Sequence, residues 1–236
     1  ILHMAQVHLQ HGATFLDIGA SSTRPGAILS NADNEIKLLT PLVKALKKEF
    51  PEAYLSIDTY HAQVAKALAD DGADIINDIS GGRFDDQMFQ TVADLKLPYI
   101  IMHIQGTPET MQENPHYEDV LTEVKSDLKN RIDLLSQLGH NNVVIDPGFG
   151  FGKTLHHNYE LLRNLPAFHE LNVPVLAGLS RKSMINRVLN CQPEDALNGT
   201  TSLNTIALMN GANILRVHDV KEAAESIKIV QYYLNR

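Results

Sequence analysis

Short apolar runs recur along the chain and alternate with longer segments of helical character. Each run ends in a polar or glycine-rich segment, and a helix-like stretch follows it. Buried parallel strands that alternate with helices predict an α/β fold, a TIM (β/α)8 barrel that occupies residues 1–236 as one domain, with its site at the carboxyl ends of the strands. The seven runs cover residues 15–18, 54–57, 74–77, 99–102, 143–146, 174–177 and 214–217.

Helices are predicted between these runs from apolar spacing and from the residues at their ends. Residues 31–33 and Asp195 are expected N-caps, and Gly72, Gly139 and Gly211 stand where helices should stop. The predicted helices cover residues 1–12, 33–50, 61–71, 85–95, 117–139, 157–170, 181–210 in two pieces, and 219–235.

The count of strands is one short of a closed barrel. A closed parallel barrel of this kind has eight strands, whereas seven runs are found here and the chain opens on a helix. We therefore expect the first strand and the first βα loop to lie before Ile1.

Composition and charge narrow the function. The net charge of −8 disfavours a nucleic-acid partner, and no apolar run approaches the roughly 20 residues that span a bilayer, so no membrane partner is expected. The single cysteine, Cys191, favours a reducing cytoplasm and is expected to be a bystander. Against this acidic background, four basic residues at strand ends predict a pocket for a small anion such as a phosphate ester: Arg24, Lys182, Arg216 and His218.

Acceptor-rich side chains end three of the predicted strands. Asp58, Asn77 and Asp146 should converge at the barrel mouth, where they would suit a flat heterocycle with several N–H groups. For the aspartates the alternative is helix N-capping, because each precedes a helix or a turn. For His103, at the end of a fourth strand, a structural role is favoured.

The remaining motifs are loops that could hold an anion or a planar group. The segment 19–27 offers hydroxyls and a guanidinium, with an ordinary structural loop as its alternative. DPGFGFGKT has Pro147 where a phosphate-binding P-loop needs glycine, so ATP or GTP hydrolysis is disfavoured, and Phe149 and Phe151 are expected near a planar ligand. Arg216 and His218 stand two apart and should point to the mouth from one strand face.

Seven of these segments, in the same order, resemble the dihydropteroate synthase family: STRPGA, SIDT, NDISGG, MHIQGTPETMQ, DPGFGFGK, SRKS and RVHD. The resemblance implies a transferase of folate biosynthesis that joins 6-hydroxymethyl-7,8-dihydropterin diphosphate to 4-aminobenzoate and releases pyrophosphate. It also implies Mg²⁺ as a cofactor, a cytoplasmic homodimer and inhibition by sulfonamides.

The resemblance implies a role for individual residues. Those implied to bind the pterin are Asp58, Asn77, Ile79, Met102, Asp146, Gly178, Lys182 and Arg216, and of these Asp58, Asp146, Lys182 and Arg216 are implied to act in catalysis. Those implied to frame the aminobenzoate are Thr23, Pro25, Phe151 and Ser183. Those implied to hold the diphosphate are Arg24, Arg216 and His218.

The chain departs from the family at two places. It reads GASSTRP where many members have a glycine-glycine-acid run before STRP, and we expect that change to be tolerated. The family's first loop, with the Asn that helps bind the metal, lies outside this sequence, so no metal ligand is assigned. Two other functions stay open: a pterin-binding methyltransferase domain that works with a corrinoid, and a catalytically silent pterin-binding relative.

Overall fold

Seven parallel strands and nine α-helices alternate in the computed structural model, which describes residues 1–20, 26 and 30–235. The strands are β1 (Phe15–Gly19), β2 (Tyr54–Asp58), β3 (Ile75–Asp78), β4 (Tyr99–Met102), β5 (Val143–Asp146), β6 (Leu176–Ala177) and β7 (Ile214–Leu215). The helices are α1 (Leu2–Gln10), α2 (Ala32–Glu49), α3 (Ala62–Asp70), α4 (Met88–Leu95), α5 (Val120–Gln137), α6 (Leu155–Arg163), α7 (Ser183–Leu189), α8 (Leu197–Met209) and α9 (Val220–Tyr233).

Each strand lies beside its neighbours in the chain. Strands β1 to β5 form one parallel sheet in chain order, and β6 pairs in parallel with β7. A parallel bridge between Ile145 and Val175 connects β5 to the segment that leads into β6. Chain-order pairing of parallel strands with intervening helices is the arrangement of a βα barrel.

Several helix ends lie where the sequence predicts them. Asn31 caps α2, since its side chain accepts from the backbone N–H of Asp33 at 2.8 Å. Gly72, Gly139 and Gly211 follow α3, α5 and α8 with φ of 110°, 78° and 90°, so the three predicted stops are confirmed.

Two predicted helix boundaries are wrong. Asp195 does not cap a helix, because it ends a short 3₁₀ turn (Pro193–Asp195) and α8 starts at Leu197. The helix predicted over 157–170 is divided into α6 and a 3₁₀ helix (Leu165–Leu171). Pro166 has no N–H to donate and stands at the start of that 3₁₀ segment, which explains the break.

The core has two apolar layers because strand side chains alternate between faces. The outward layer packs strands against helices and includes Leu55, Ile57, Ile76, Ile101 and Ile145, all fully buried. The inward layer is a smaller cluster between the strands, formed by Ile75, Ile100 and Leu176 with Val144 and Ile214 packed against it. This inner plug closes the space beneath the carboxyl ends of the strands.

Candidate active site

Three polar side chains, with Met102 and Gly178, take the inner positions directly above the apolar plug. Side chains two residues apart along a strand point to the same face, so the residue two positions after each plug residue also points inward. Those residues are Asn77 above Ile75, Met102 above Ile100, Asp146 above Val144, Gly178 above Leu176 and Arg216 above Ile214. Within two residues along these strands, the inward-facing side chains change from an all-apolar layer to one that contains charged and amide groups. This change marks the carboxyl end of the strands as the candidate site.

Arg216 joins the last strand to the first two. Its Nε donates to Asp17 Oδ2 at 2.6 Å, and its Nη2 donates to Asp58 Oδ2 at 2.8 Å. Asp58 lies directly beside Asn77 in the ladder between β2 and β3. The predicted pterin ligands Asp58, Asn77 and Arg216 are therefore brought together.

Asp17 is absent from the predicted site residues although it contacts three of the residues around it. A signal for it exists in the sequence: it is a charged residue in the middle of a short apolar run, in register with inner-face positions of β2. The sequence alone does not show how β1 pairs with β2, so it does not distinguish an inward-facing acid at this position from one that faces solvent.

Burial changes the acidity of Asp58. The carboxyl is only 8% exposed, and burial, reinforced by the negative charge of Asp17, raises the pKa of Asp58 to about 7, although Arg216 opposes the shift. Burial and the ion pair with Arg216 thus act in opposite directions on this carboxyl.

Asp146 and Lys182 meet beside Gly178. A Cβ atom built on Gly178 would lie within 4 Å of three side chains, those of Lys182, Asp146 and Arg216. Burial raises the pKa of Asp146, with Lys182 opposing the shift, and burial lowers the pKa of Lys182 to about 8. The glycine leaves room at the point where these charged groups converge.

Neither aspartate is a helix cap, so that alternative is wrong. Helix α3 after Asp58 has His61 at its N-cap position, and helix α6 after Asp146 is capped by Thr154. Asp146 Oδ1 instead accepts from the backbone N–H of Gly148 at 2.7 Å, which leaves Oδ2 directed toward Gly178.

An apolar wall faces these charges. Ile79, Met102 and Phe151 are buried in one cluster, which also contains Tyr60, Ile104 and Met111. Lys182 Nζ lies 4.8 Å from the centroid of the Phe151 ring, so the wall and the charged groups share an edge. Ser183, the first residue of α7, is exposed next to Lys182.

The glycine loop, residues 147–153, is held from several sides. Three loop carbonyls accept from side chains outside the loop: Phe149 from Lys182 Nζ, Gly150 from Gln112 Nε2 and Gly152 from Tyr117 Oη. Two accept from within the loop: Gly148 from Phe151 N and Phe151 from Lys153 Nζ. The loop is therefore fixed by residues 112 and 117 after β4 and by Lys182 after β6.

Lys153 points into the protein. It is 3% exposed and donates to His103 Nδ1 at 3.0 Å, to the His103 carbonyl at 3.3 Å and to the Phe151 carbonyl at 3.0 Å. A P-loop lysine must reach a phosphate, so the rejection of ATP or GTP hydrolysis is supported. His103 is buried as the partner of Lys153, in agreement with the structural role favoured for it.

His218 lies apart from the contacts of Arg216. Its Nδ1 is 2.9 Å from Ser180 Oγ, whereas Arg216 contacts Asp17 and Asp58. Strand β7 ends at Leu215, so Arg216 and His218 lie in the segment that follows the strand and not in the strand itself. The predicted ligands Thr23, Arg24 and Pro25 lie outside the described residues.

The described part of the chain contains neither a metal-binding cluster nor a membrane-spanning helix. Among residues 1–20, 26 and 30–235, no group of three or more His, Cys, Asp and Glu side chains could hold a metal ion. No helix in this part of the chain is both long and apolar enough to span a membrane.

Known proteins match this chain over almost its whole length. The family described as pterin binding enzyme matches residues 1–218. The dihydropteroate synthase of Escherichia coli K12 is 42% identical over 233 residues, which cover 98% of this chain and 82% of that protein. The crystal structure of the Yersinia pestis dihydropteroate synthase with a sulfonamide drug has a TM-score of 0.96 at 40% identity and covers 100% of this chain and 86% of that one.

A third match comes from a structure with a small molecule bound. The Xanthomonas albilineans dihydropteroate synthase, solved with 4-aminobenzoic acid, has a TM-score of 0.93 at 36% identity and covers 100% of this chain and 84% of that one. The predicted TIM-barrel fold is confirmed by these structures.

The fold and the site define a pterin-binding α/β barrel, and the chain belongs to the pterin binding enzyme family. Within that family its function is that of the dihydropteroate synthases, which are transferases of folate biosynthesis. These relatives favour the synthase over the corrinoid methyltransferase domain considered from the sequence.

Proposed function

We propose that the inner charged face, defined as Asp17, Asp58, Asp146, Lys182 and Arg216, holds 6-hydroxymethyl-7,8-dihydropterin diphosphate for attack by 4-aminobenzoate. The single observation that carries this proposal is the convergence of Asp146, Lys182 and Arg216 around one inner position, Gly178, together with the ion pair that joins Arg216 to Asp58 of β2. A flat ring with N–H donors along one edge matches the carboxylates, and its anionic tail matches the cations.

We place the pterin ring between the acidic residues and the apolar wall. Asp146 accepts two N–H groups from the 2-amino-4-oxo edge, and Asp58 and Asn77 accept from the other side of the ring. Ile79 and Met102 contact the ring face, while Gly178 allows the close approach of the ligand to the strand. Lys182 donates to the ring oxygen and nitrogen in place of the Phe149 carbonyl, its partner in this structure.

The bond changes need no covalent enzyme intermediate. The C–O bond between the exocyclic methylene and the diphosphate breaks, and its electron pair leaves with pyrophosphate. The amine lone pair of 4-aminobenzoate forms the new C–N bond, and the amine then loses a proton. Asp58 and Asp146 stabilise the positive charge on the pterin, since both carboxylates are already fixed before the bond breaks.

The leaving group is held by cations beyond the ring. Arg216 and His218 are exposed at this end of the strands, and Arg24, outside the described residues, joins them in the proposal. Mg²⁺ commonly binds through one or two carboxylates together with substrate phosphates, so in this proposal the metal enters with the diphosphate. When bound, it neutralises charge on the departing oxygens.

The aminobenzoate is assigned to the rim next to Phe151 and Ser183, with Thr23 and Pro25 from the loop outside the described residues. A sulfonamide, which has an arylamine of similar shape, is then expected to compete for this rim.

The chain is also proposed to act as a cytoplasmic homodimer. Helices α7 to α9 carry large apolar side chains that are at least 44% exposed, and a dimer formed through these helices would cover them. They are Val188 and Leu189 on α7, Ile206 and Met209 on α8, and Ile229, Tyr232 and Tyr233 on α9.

The test of the reaction is direct formation of dihydropteroate from the two substrates with Mg²⁺. Asp146→Ala should lower kcat/KM by about 100-fold or more, because it removes a charged ligand of the transition state. Asp94→Ala, on the exposed surface of α4, is the matched control and should keep full turnover. Turnover of Asp146→Ala at the wild-type rate, with an intact fold, would refute the site assignment.

A further inference from the structure

Asp17 stands at the centre of the polar contacts of the inner charged face. Its Oδ2 accepts from Arg216 Nε at 2.6 Å and its Oδ1 accepts from Ser56 Oγ at 2.6 Å. Both oxygens lie 3.3 Å from Asn77 Nδ2. The side chain is 19% exposed, although the residue as a whole is exposed in the edge strand β1. This one carboxylate connects β1 with β2, β3 and the segment after β7.

The contact with Asp17 determines which end of the Asn77 amide a ligand meets. A carboxylate only accepts hydrogen bonds, so the NH₂ group of Asn77 must face Asp17. The carbonyl oxygen of Asn77 is thereby left for a donor of the ligand. Because Asn77 is 6% exposed, water offers little competition for this orientation. Without the acid at position 17, either end of the amide could face the pocket.

Asp17 also fixes the plane of the Arg216 guanidinium. One edge of that group is held at Nε by Asp17 and at Nη2 by Asp58, so rotation about the end of the side chain would break an ion pair. A planar guanidinium held on one side presents its remaining N–H donors in a fixed direction. That direction matters for a group that must meet a diphosphate or a ring.

We infer that Asp17 is a positioning residue of the pterin end of the site, which acts by orienting the Asn77 amide and the Arg216 guanidinium. This inference rests on the proposed function, since it requires Asn77 and Arg216 to meet the substrate. Asp17 itself makes no contact with the substrate in this account.

The direct test is Asp17→Asn, which keeps the shape of the side chain and removes its charge. The amide cannot accept from Arg216, Ser56 and Asn77 together, so the Kd of a diphosphate-free ligand, 6-hydroxymethylpterin, should rise by about tenfold or more. The KM for 4-aminobenzoate at saturating pterin diphosphate should stay within about twofold, because the described partners of Asp17, which are Ser56, Asn77 and Arg216, are not among the residues assigned to that rim. A general loss of structure would move both.

The pH dependence gives a second readout. The charged groups that act on Asp58 are Asp17, Arg216, Asp78 and Glu35, from β1, the segment after β7, β3 and α2. Because the charge of Asp17 raises the pKa of Asp58, Asp17→Asn should move the acid limb of pterin binding to lower pH. Asp74→Asn is the matched control: Asp74 also accepts from a cation, Lys47 at 2.7 Å, and from a backbone N–H, but before β3 rather than at the mouth. It should change neither readout.

A double-mutant cycle shows whether Asp17 acts through Asn77. In the Asn77→Ala background, Asp17→Asn should weaken pterin binding by clearly less than it does in the wild-type chain. Full additivity, or wild-type pterin affinity in folded Asp17→Asn, would overturn the inference. If Asn77→Ala and Arg216→Ala themselves bind the pterin normally, the proposed function of this face fails instead, so the two failures can be told apart.

Discussion

The inner charged face and the glycine loop both carry a lysine whose pKa is lowered by burial, yet the two lysines have different partners. Lys182 lies beside Asp146 and donates to one loop carbonyl, that of Phe149. Lys153 donates to three acceptors that all belong to the protein. An ammonium group has three N–H donors, so Lys153 is satisfied, while Lys182 keeps donors for a ligand.

This difference separates residues that contact the substrate from residues that hold the site in shape. Removal of the first kind should affect turnover more than stability, and removal of the second kind should do the reverse. The two lysines allow the same substitution to be made in both regions.

The largest effect is expected for Lys182→Met. Loss of the ammonium should lower kcat/KM by about 100- to 1,000-fold with a smaller change in melting temperature, because within the protein Lys182 makes one hydrogen bond, to the Phe149 carbonyl, beside its interactions with Asp146 and the Phe151 ring. Steady-state kinetics and thermal unfolding measure the two quantities on the same sample. A large drop in melting temperature with normal kcat/KM would reverse the roles given to the two regions.

Lys153→Met should instead lower the free energy of unfolding by about 2–3 kcal/mol, since it leaves buried acceptors on His103 and Phe151 without a donor. Burial lowers the pKa of Lys153 to about 7, below its unfolded value, so the wild-type chain gains stability from this group as the pH rises from 7 to 10. The stability difference between wild type and Lys153→Met should therefore grow over that pH range. Denaturant unfolding at several pH values tests this, and a constant difference would contradict it.

The smallest expected difference is between two glycine substitutions, Gly148→Ala and Gly139→Ala. Their comparison separates the cost of tight packing in the glycine loop from the cost of backbone conformation alone. Gly148 and Gly139 both have positive φ, 73° and 78°. A Cβ on Gly148 would lie 1.9 Å from the His103 carbonyl oxygen, whereas a Cβ on Gly139 would meet nothing within 4 Å. Gly139→Ala should cost about 1 kcal/mol from conformation, and Gly148→Ala at least about 1–2 kcal/mol more. Equal losses would show that the loop yields easily around His103.

Much of the fold was open to prediction because its signals are local. Apolar runs and glycine stops gave seven strands and the helix ends at Gly72, Gly139 and Gly211. Where a boundary depended on competition between two local structures, as around Asp195 and Pro166, the prediction failed. In both places a 3₁₀ segment replaced the expected α-helix.

The candidate site was predictable in part for the same reason. Side-chain alternation brought Asp58, Asn77 and Asp146 to one face, but it did not reveal that Asp17 accepts from Arg216, which lies 199 residues away along the chain. Nor did it reveal that Lys153 turns inward while Lys182 faces Asp146, because both follow strand ends. Such choices depend on tertiary contacts, which no spacing rule contains.

The most direct test of the central claim is calorimetric titration of a pterin that lacks the diphosphate, 6-hydroxymethylpterin, into wild type, Asp146→Asn and His218→Ala. Asp146→Asn replaces one acceptor oxygen with a donor and should weaken binding by about 30-fold or more, since a bidentate charged hydrogen bond is lost. His218→Ala should bind this ligand as the wild type does. Normal affinity in Asp146→Asn, or an equal loss in His218→Ala, would contradict a site divided into an acidic end for the ring and a basic end for the diphosphate.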